Sequence, residues 1–181
     1  MRFVIQRVTS ASVEADGKVC GTIGTGFLVL IGISAHDDEA SADKMTSKLL
    51  GLRIFSDAQD KTNLNLDAVG GSLLLVSQFT LYADCRRGNR PSFTAAGASD
   101  DANRLYEYIV SSCRGKLDAS RVETGSFGAD MKVNIVSFTR ISSRSWGRSA
   151  SCSSPGCATR DGSAPCPARR RNTSAFPWGS C

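Results

Sequence analysis

The chain has 181 residues, of which 41% are hydrophobic and 22% charged, and its formal net charge at pH 7 is +5. This composition is typical of a globular protein, and the longest run of aliphatic and aromatic residues, 27–31, is too short to cross a membrane. The N-terminus lacks the apolar block and cleavage site of a signal peptide, so we predict a cytoplasmic protein that does not bind membranes.

The positive charge is concentrated at one end of the chain. Residues 1–136 contain 15 Lys and Arg against 16 Asp and Glu, whereas residues 137–181 contain 7 Arg and a single Asp. The body is therefore close to neutral, and nucleic-acid binding by the body has to depend on local clusters of charge. The single histidine, His36, and the absence of any C-x-x-C pair make a metal site improbable, and no cofactor is expected.

The first third of the chain predicts β structure. The β-branched segments 2–13 and 18–24 are separated by a hairpin signal at 15–18, and the apolar run 27–33 is typical of a strand buried on both faces. Gly21, Gly24 and Gly26 precede that strand and do not open a helix, so we interpret them as turn residues rather than as a phosphate-binding loop.

Two helices are predicted, with strands between and after them. Asp37 and Asp38 can start the first helix and Gly51 can stop it; a strand at 52–55, a polar loop at 56–71 and a second buried strand at 72–79 should follow. The second helix is predicted at 99–113 with Ser99 as its N-cap, and a short strand, a glycine turn and a last strand from Met131 come after it.

The pattern ends after residue 136. Residues 137–181 contain 11 Ser, 7 Arg and four of the five prolines, without a sustained apolar period. Such a segment cannot bury enough surface to offset its chain entropy, so we predict one folded domain at 1–136 and a disordered tail at 137–181.

The segment "SQFT" at 77–80 contains the most conspicuous candidate nucleophiles, Ser77 and Thr80. A hydroxyl needs a base or an oxyanion-stabilising site to react at neutral pH, and neither a G-x-S-x-G elbow nor a second histidine is present. From the residues alone, the alternative that these hydroxyls only satisfy backbone groups at a strand end is favoured.

The following segment, "CRRGNRPSF" at 85–93, places Arg86, Arg87 and Arg90 within five residues. Guanidinium groups make forked contacts with phosphate, and Phe93 could stack on a base. A solvated, charged turn explains the arginines equally well, so this segment indicates a phosphate-bearing ligand without indicating a reaction.

Three segments resemble the D-aminoacyl-tRNA deacylases: "MRFVIQRVTSASV" at the start, "SQFTLYAD" with "GNRPSF" in the middle, and "GSFGADMKV" around Phe127. The resemblance runs in order from Met1 to about Val136. It implies an α/β fold in three layers (β/β/α), with two sheets covered by helices, a homodimer with its sites at the subunit boundary, and aminoacyl-tRNA rather than DNA as the partner. The implied reaction is hydrolysis of the ester between a D-amino acid, or glycine, and the terminal adenosine of tRNA.

The resemblance also implies roles for individual residues. Ser77, Gln78, Phe79 and Thr80 would surround the scissile ester, with Thr80 as the nucleophile or with backbone N–H groups forming an oxyanion hole while the 2′-hydroxyl of the substrate assists. Gly128, Ala129 and Met131 would border the adenosine pocket, and Phe93 would also contact the substrate. Arg7 would brace the site. The arginines of the following segment, Arg86, Arg87 and Arg90, would contact acceptor-stem phosphates.

One family element is missing. After a strand like "MKVNIV" the family continues with an Asn-x-Gly-Pro-Val-Thr element that enters the partner's pocket, whereas this chain has "SFTRISS" at 137–143. We hypothesise that the coding sequence shifts frame near residue 136, which predicts such an element in one of the other two frames; its absence from both would disprove the shift. Two alternatives are an impaired or inactive tRNA-binding protein and a general esterase that uses Thr80.

Overall fold

A computed structural model describes residues 1–137. Of the tail predicted at 137–181, only Ser137 is described, and it belongs to the last strand rather than to the tail; residues 138–181 lie outside the described residues. The elements, in chain order, are β1 Arg2–Ala15, β2 Lys18–Ile23, β3 Gly26–Gly32, α1 Glu39–Leu50, β4 Phe55–Ser56, β5 Thr62–Leu64, β6 Ser72–Ser77, α2 Ser99–Lys116, β7 Val122–Thr124 and β8 Met131–Ser137. Short 3₁₀ turns lie at Phe79–Tyr82 and Ala119–Arg121.

Six of the strands form one sheet in the order β2-β1-β3-β6-β7, with β8 paired to β1. The 14-residue β1 is long enough to serve two sets of partners: residues 2–8 pair with β3, and its second half pairs with both β2 and β8. Asp16 and Gly17 connect β1 to β2 with φ of 51° and 74°, the paired positive φ angles of a tight hairpin turn. The hairpin predicted at 15–18 is confirmed.

The centre of the sheet is a parallel pair. β3 pairs with β6 and β6 pairs with β7, both in parallel register. Nearly every residue of β3 and β6 is buried. One face packs under the helices, and the other packs against side chains from the second half of β1 and from β2. The prediction that 27–33 forms a strand buried on both faces is confirmed.

The two helices lie side by side over one face of the sheet. Arg104 donates to Glu39 at 2.6 Å and Tyr108 donates to Asp43 at 3.0 Å, so α1 and α2 run in the same direction. Tyr106 is 1% exposed and its hydroxyl donates to the Leu75 carbonyl at 2.9 Å, which fixes α2 over β6. The predicted α/β class, with two sheets and covering helices, is confirmed, since β4 and β5 form a second, two-stranded sheet.

Within residues 1–137 no helix is both long and apolar enough to span a bilayer.

Several predicted boundaries are wrong. The strand predicted at 52–55 is only Phe55–Ser56, and the polar loop expected at 56–71 contains its partner β5. The strand expected to continue to residue 79 ends at Ser77, where the chain turns into the 3₁₀ turn. Ser99 is the first helical residue rather than the N-cap, and Ala98 occupies the cap position without a side-chain hydrogen bond.

Two of the three glycines interpreted as turn residues lie in strands. Gly21 belongs to β2 and Gly26 begins β3, and only Gly24 lies in the connecting bend. A Cβ on Gly26 would lie 1.9 Å from the Ser72 carbonyl oxygen. Glycine is needed there because β3 and β6 approach closely at the start of their pairing, which sequence patterns do not report.

This close approach predicts how adding one methyl group at residue 26 changes the stability of the protein. Gly26→Ala should lower the free energy of unfolding by more than about 3 kcal/mol, because the new Cβ meets backbone rather than a side chain that can move. Gly24→Ala is the matched control, since no atom lies within 4 Å of its ideal Cβ, and it should change stability by less than about 1 kcal/mol. Urea unfolding of both variants checks this, and equal midpoints would contradict it.

Candidate active site

An apolar cavity lies where the parallel strands end. It has a volume of about 500 Å³ and is lined by Ile31 near the end of β3 and Ile33 just after it, Val76 and Ser77 at the end of β6, and residues 127–131 beyond β7. The carboxyl ends of parallel strands meet at one edge of a sheet, and ligands commonly bind in the crevice outside them. The parallel order β3-β6-β7 therefore explains why three distant segments of the chain share one cavity.

The first wall is formed by Ser77, Gln78 and Phe79. The backbone N–H of Gln78 donates to the Ile31 carbonyl at 2.8 Å, which continues the β3–β6 pairing one residue beyond the strand. The Gln78 side-chain amide donates to the Thr80 hydroxyl oxygen. Ser77, Gln78 and Phe79 line the cavity, whereas Thr80 lies beside it and is not among the residues of the wall.

Backbone N–H groups are available at this wall. In the 3₁₀ turn the first internal hydrogen bond runs from the Leu81 N–H to the Gln78 carbonyl, at 3.4 Å. The N–H groups of Phe79 and Thr80 precede that bond and are not used by the turn itself.

The second wall is the turn between β7 and β8. The Gly125 N–H donates to the Leu75 carbonyl at 2.9 Å, and Gly128 has a φ of 74°, which lets the chain turn back toward β8. The ring of Phe127 lies 5.8 Å from that of Tyr106, so the turn is held against α2. Gly128, Ala129 and Met131 all line the cavity here.

The third wall was not predicted from the sequence. It consists of the segment before α2, where the Gly97 N–H donates to the Ile33 carbonyl at 2.9 Å and Ala96 forms a bridge with Ser34. Ser99 and Ala102 of α2 continue it. These small residues carry no motif. The only signal in the sequence is that they follow the loop with the three arginines, residues 85–91, which we call the basic loop, and precede α2.

The basic loop is attached to the rim of the cavity. Asp84 and Ser92 exchange two backbone hydrogen bonds, of 2.8 and 3.0 Å, that close the loop carrying the arginines. Beyond it, the rings of Phe93 and Phe79 meet edge to face with centroids 5.2 Å apart, and both side chains line the cavity. The Phe79 side chain is largely exposed, with a relative exposure of 61%.

The three arginines differ in their contacts. Arg86 forms an ion pair with Asp84 at 2.7 Å, and this guanidinium lowers the pKa of the Asp84 carboxyl to about 2. Arg87 and Arg90 are exposed, and no hydrogen bond or ion pair joins either of them to another residue in 1–137. Two guanidinium groups at the rim are thus available to an external anion.

Two residues considered in the sequence lie away from the cavity. The guanidinium of Arg7 donates to the Ile54 carbonyl at 2.8 Å, and Arg7 pairs with Phe27 at the opposite end of β3. His36 is exposed in the loop before α1 and does not line the cavity. Within the described part of the chain, no three His, Cys, Asp or Glu side chains are grouped so that they could hold a metal ion.

The arrangement favours binding and polarisation over nucleophilic attack by the protein. The wall offers a hydroxyl and an amide, with the Phe79 backbone beside them; among residues 1–137 no histidine or carboxylate is hydrogen-bonded to Ser77 or Thr80, and the Asp130 carboxylate lines the same cavity. Hydrogen-bond donors can stabilise the oxyanion of an acyl-transfer intermediate without forming a covalent bond. The cavity is therefore suited to an acyl group attached to a larger, phosphate-bearing molecule.

Comparison with known proteins agrees with this description. Residues 4–138 match the family model described as D-Tyr-tRNA(Tyr) deacylase. The chain is 50% identical over 135 residues to a D-aminoacyl-tRNA deacylase of Thermosipho melanesiensis, covering 75% of this chain and 89% of that protein. It is 52% identical over 136 residues to a D-aminoacyl-tRNA deacylase of Salmonella arizonae, covering 75% and 92%.

Solved structures share the fold. A chain described as c-Myc DNA Unwinding Element Binding Protein superposes with a TM-score of 0.72 at 36% identity, over 75% of this chain and 91% of that one. A structure titled as a probable eukaryotic D-amino acid tRNA deacylase gives a TM-score of 0.66 at 17% identity, over 75% and 92%. The second likeness supports the fold alone.

Proposed function

Because the chain belongs to the D-Tyr-tRNA(Tyr) deacylase family, we propose that it hydrolyses the ester of D-aminoacyl-tRNA, releasing the free D-amino acid and the tRNA. The observation that carries the proposal is the cavity at the carboxyl ends of β3, β6 and β7, which is lined by Ser77, Gln78 and Phe79. A proofreading role in translation follows from the reaction, and translation places the protein in the cytoplasm.

In this proposal the ester carbonyl lies against the first wall. Water attacks the carbonyl carbon, negative charge develops on the carbonyl oxygen, and the Phe79 N–H, with the Thr80 N–H next to it, stabilises that charge. The carbon–oxygen bond to the ribose then breaks, and the tRNA leaves with its terminal hydroxyl restored. Ser77 and the Gln78 amide contribute polar contacts that orient the acyl group.

Thr80 is a positioning residue in this scheme rather than the nucleophile. Its hydroxyl oxygen already accepts a hydrogen bond from the Gln78 amide, and it lies beside the cavity instead of on its wall. A threonine without an adjacent base is a weak nucleophile at neutral pH. The neighbouring 2′-hydroxyl of the terminal ribose is the remaining group that can assist proton transfer.

The terminal adenosine occupies the part of the cavity bordered by Gly128, Ala129 and Met131, opposite the ester wall. Phe93 lines the same cavity against Phe79, where its ring can contact the nucleoside. Arg87 and Arg90 then face the phosphates of the acceptor strand, and Arg86 is oriented by Asp84. No step of the scheme requires a cofactor.

We infer that the protein works as a homodimer. Ile135 and Val136 of β8 are 46% and 58% exposed, and Val4 on β1 is 48% exposed, which is apolar surface that a second copy could cover. Arg7 lies at the opposite end of the sheet from its own cavity, so a bracing role for it requires the cavity of a second copy. A molar mass in solution near that of one chain, 19.2 kDa, would count against the dimer.

The role assigned to Thr80 gives the first prediction about function. With D-tyrosyl-tRNA as substrate, Thr80→Ala should retain at least about a tenth of the wild-type kcat/KM, because only an orienting hydrogen bond is lost. Loss of a direct nucleophile would reduce the rate by about a thousandfold or more. Thr62→Ala, in exposed β5, is the control and should match the wild type.

Ester half-lives with and without protein provide the measurement. A wild-type protein that leaves the half-life unchanged would refute the proposed function. A collapse of activity confined to Thr80→Ala would instead refute the positioning role and support the nucleophile.

The unpaired arginines give a second prediction. Replacing Arg87 and Arg90 together with Gln should weaken tRNA binding and make the slope of log affinity against log salt shallower by about 1.5, because two phosphate contacts are lost. Arg114→Gln, at the exposed end of α2, is the control for net charge. Filter binding across salt concentrations measures both slopes, and an unchanged slope in the double variant would place the phosphates elsewhere.

A further inference from the structure

A second pocket adjoins the cavity and has no role in the scheme above. It has a volume of about 580 Å³, and Arg2, Tyr82, Asp84, Arg86 and Ala95 are among the residues that line it.

The two pockets share their dividing walls. The turn Phe79–Tyr82 presents Phe79 to the first pocket and Tyr82 to the second. The segment after the basic loop likewise presents Ala96 to the first pocket and Ala95 to the second. The pockets are therefore separated by single stretches of backbone.

The second pocket carries one uncompensated positive charge among its lining residues. Asp84 is neutralised by Arg86 through their 2.7 Å ion pair. The Arg2 guanidinium lies 4.5 Å from the centroid of the Tyr82 ring, and one of its nitrogens donates to the Leu81 carbonyl at 2.6 Å. Arg2 is thus held in place at the pocket, and the other N–H groups of its planar fork are not needed for that attachment.

We propose that this second pocket binds the phosphodiester that precedes the terminal adenosine, with Arg2 as its main contact. The inference rests on the proposed function, since it takes the first pocket as the site of the terminal aminoacyl-adenosine. A single strand whose last nucleoside fills the first pocket leaves its 5′ phosphate at the rim. The dividing turn is the short route from that rim into the second pocket, and a fixed guanidinium is the group that recognises phosphate there.

The fixed position of Arg2 separates it from Arg87 and Arg90. Those two arginines are exposed on a loop and have no partner within residues 1–137, so they can bind any nearby phosphate without selecting one position along the strand. Arg2 is held by the Tyr82 ring and the Leu81 carbonyl, next to the turn that carries Phe79. Its contact should therefore fix the register of the strand relative to the ester.

The test compares two substrates that differ in this phosphate. D-tyrosyl-adenosine ends at the ribose, and D-tyrosyl-tRNA carries the phosphodiester. Arg2→Gln should lower kcat/KM for D-tyrosyl-tRNA by about tenfold, the effect of one charge-assisted hydrogen bond, and should change kcat/KM for D-tyrosyl-adenosine by less than about twofold. Arg2→Lys should recover part of the loss, and Arg114→Gln should leave both values unchanged.

Equal losses on both substrates would show that Arg2 acts through the turn Phe79–Tyr82, and no loss on either would place the phosphate outside the pocket; either result overturns the inference. A wild-type protein that hydrolyses neither substrate would refute the proposed function instead.

In that case the affinity for the unacylated trinucleotide CCA decides the inference, because Arg2→Gln should still weaken its binding by about tenfold. Unchanged affinity would overturn the inference. Competition by inorganic phosphate as strong as that by the trinucleotide would show a site for free anions rather than for an RNA strand.

Discussion

The parallel pairing of β3 with β6 is the constraint on which the rest of the described structure depends. It begins at Gly26 and Ser72, where the backbones come so close that only glycine fits, and it ends at Ser77 beside Ile31. Adding β7 in the same direction brings three carboxyl ends to one edge of the sheet. The cavity is a consequence of this order, and Tyr106 stabilises it by tying α2 to the carbonyl of Leu75.

The same constraint explains the chemistry. After Ser77 the chain leaves the sheet and turns, so Phe79, whose N–H group the turn does not use, lines the cavity, and no side-chain base in residues 1–137 is hydrogen-bonded to Ser77 or Thr80. A site of this kind stabilises developing charge and leaves proton transfer to the substrate or to water. The basic loop follows this turn, and Phe93, just beyond the loop, contacts the ring of Phe79. The groups proposed to contact the ester and those proposed to contact phosphate thus lie in one short segment.

Much of this could be predicted from local sequence. The buried strands predicted at 27–33 and 72–79, the hairpin at 15–18 and the amphipathic α2 follow from apolar periodicity and turn residues, and the structure has all four elements, with the second strand ending two residues early. The change at Gln78 from strand to 3₁₀ turn could not be predicted, because it depends on where β3 stops. Ala96 and Gly97 were missed for the same reason: they line the cavity only because Gly97 is bonded to Ile33.

In the proposed reaction, hydrolysis relies on backbone donors and on the hydroxyl of the substrate rather than on a nucleophile of the protein. Single-turnover hydrolysis of D-tyrosyl-tRNA that ends in 2′-deoxyadenosine tests it most directly, because only the assisting hydroxyl is removed. We expect the catalysed rate to fall by about a hundredfold or more relative to the ribose substrate, the usual contribution of positioned proton transfer. An unchanged rate would contradict the assistance by the 2′-hydroxyl and would indicate that a side chain of the protein supplies the reacting group.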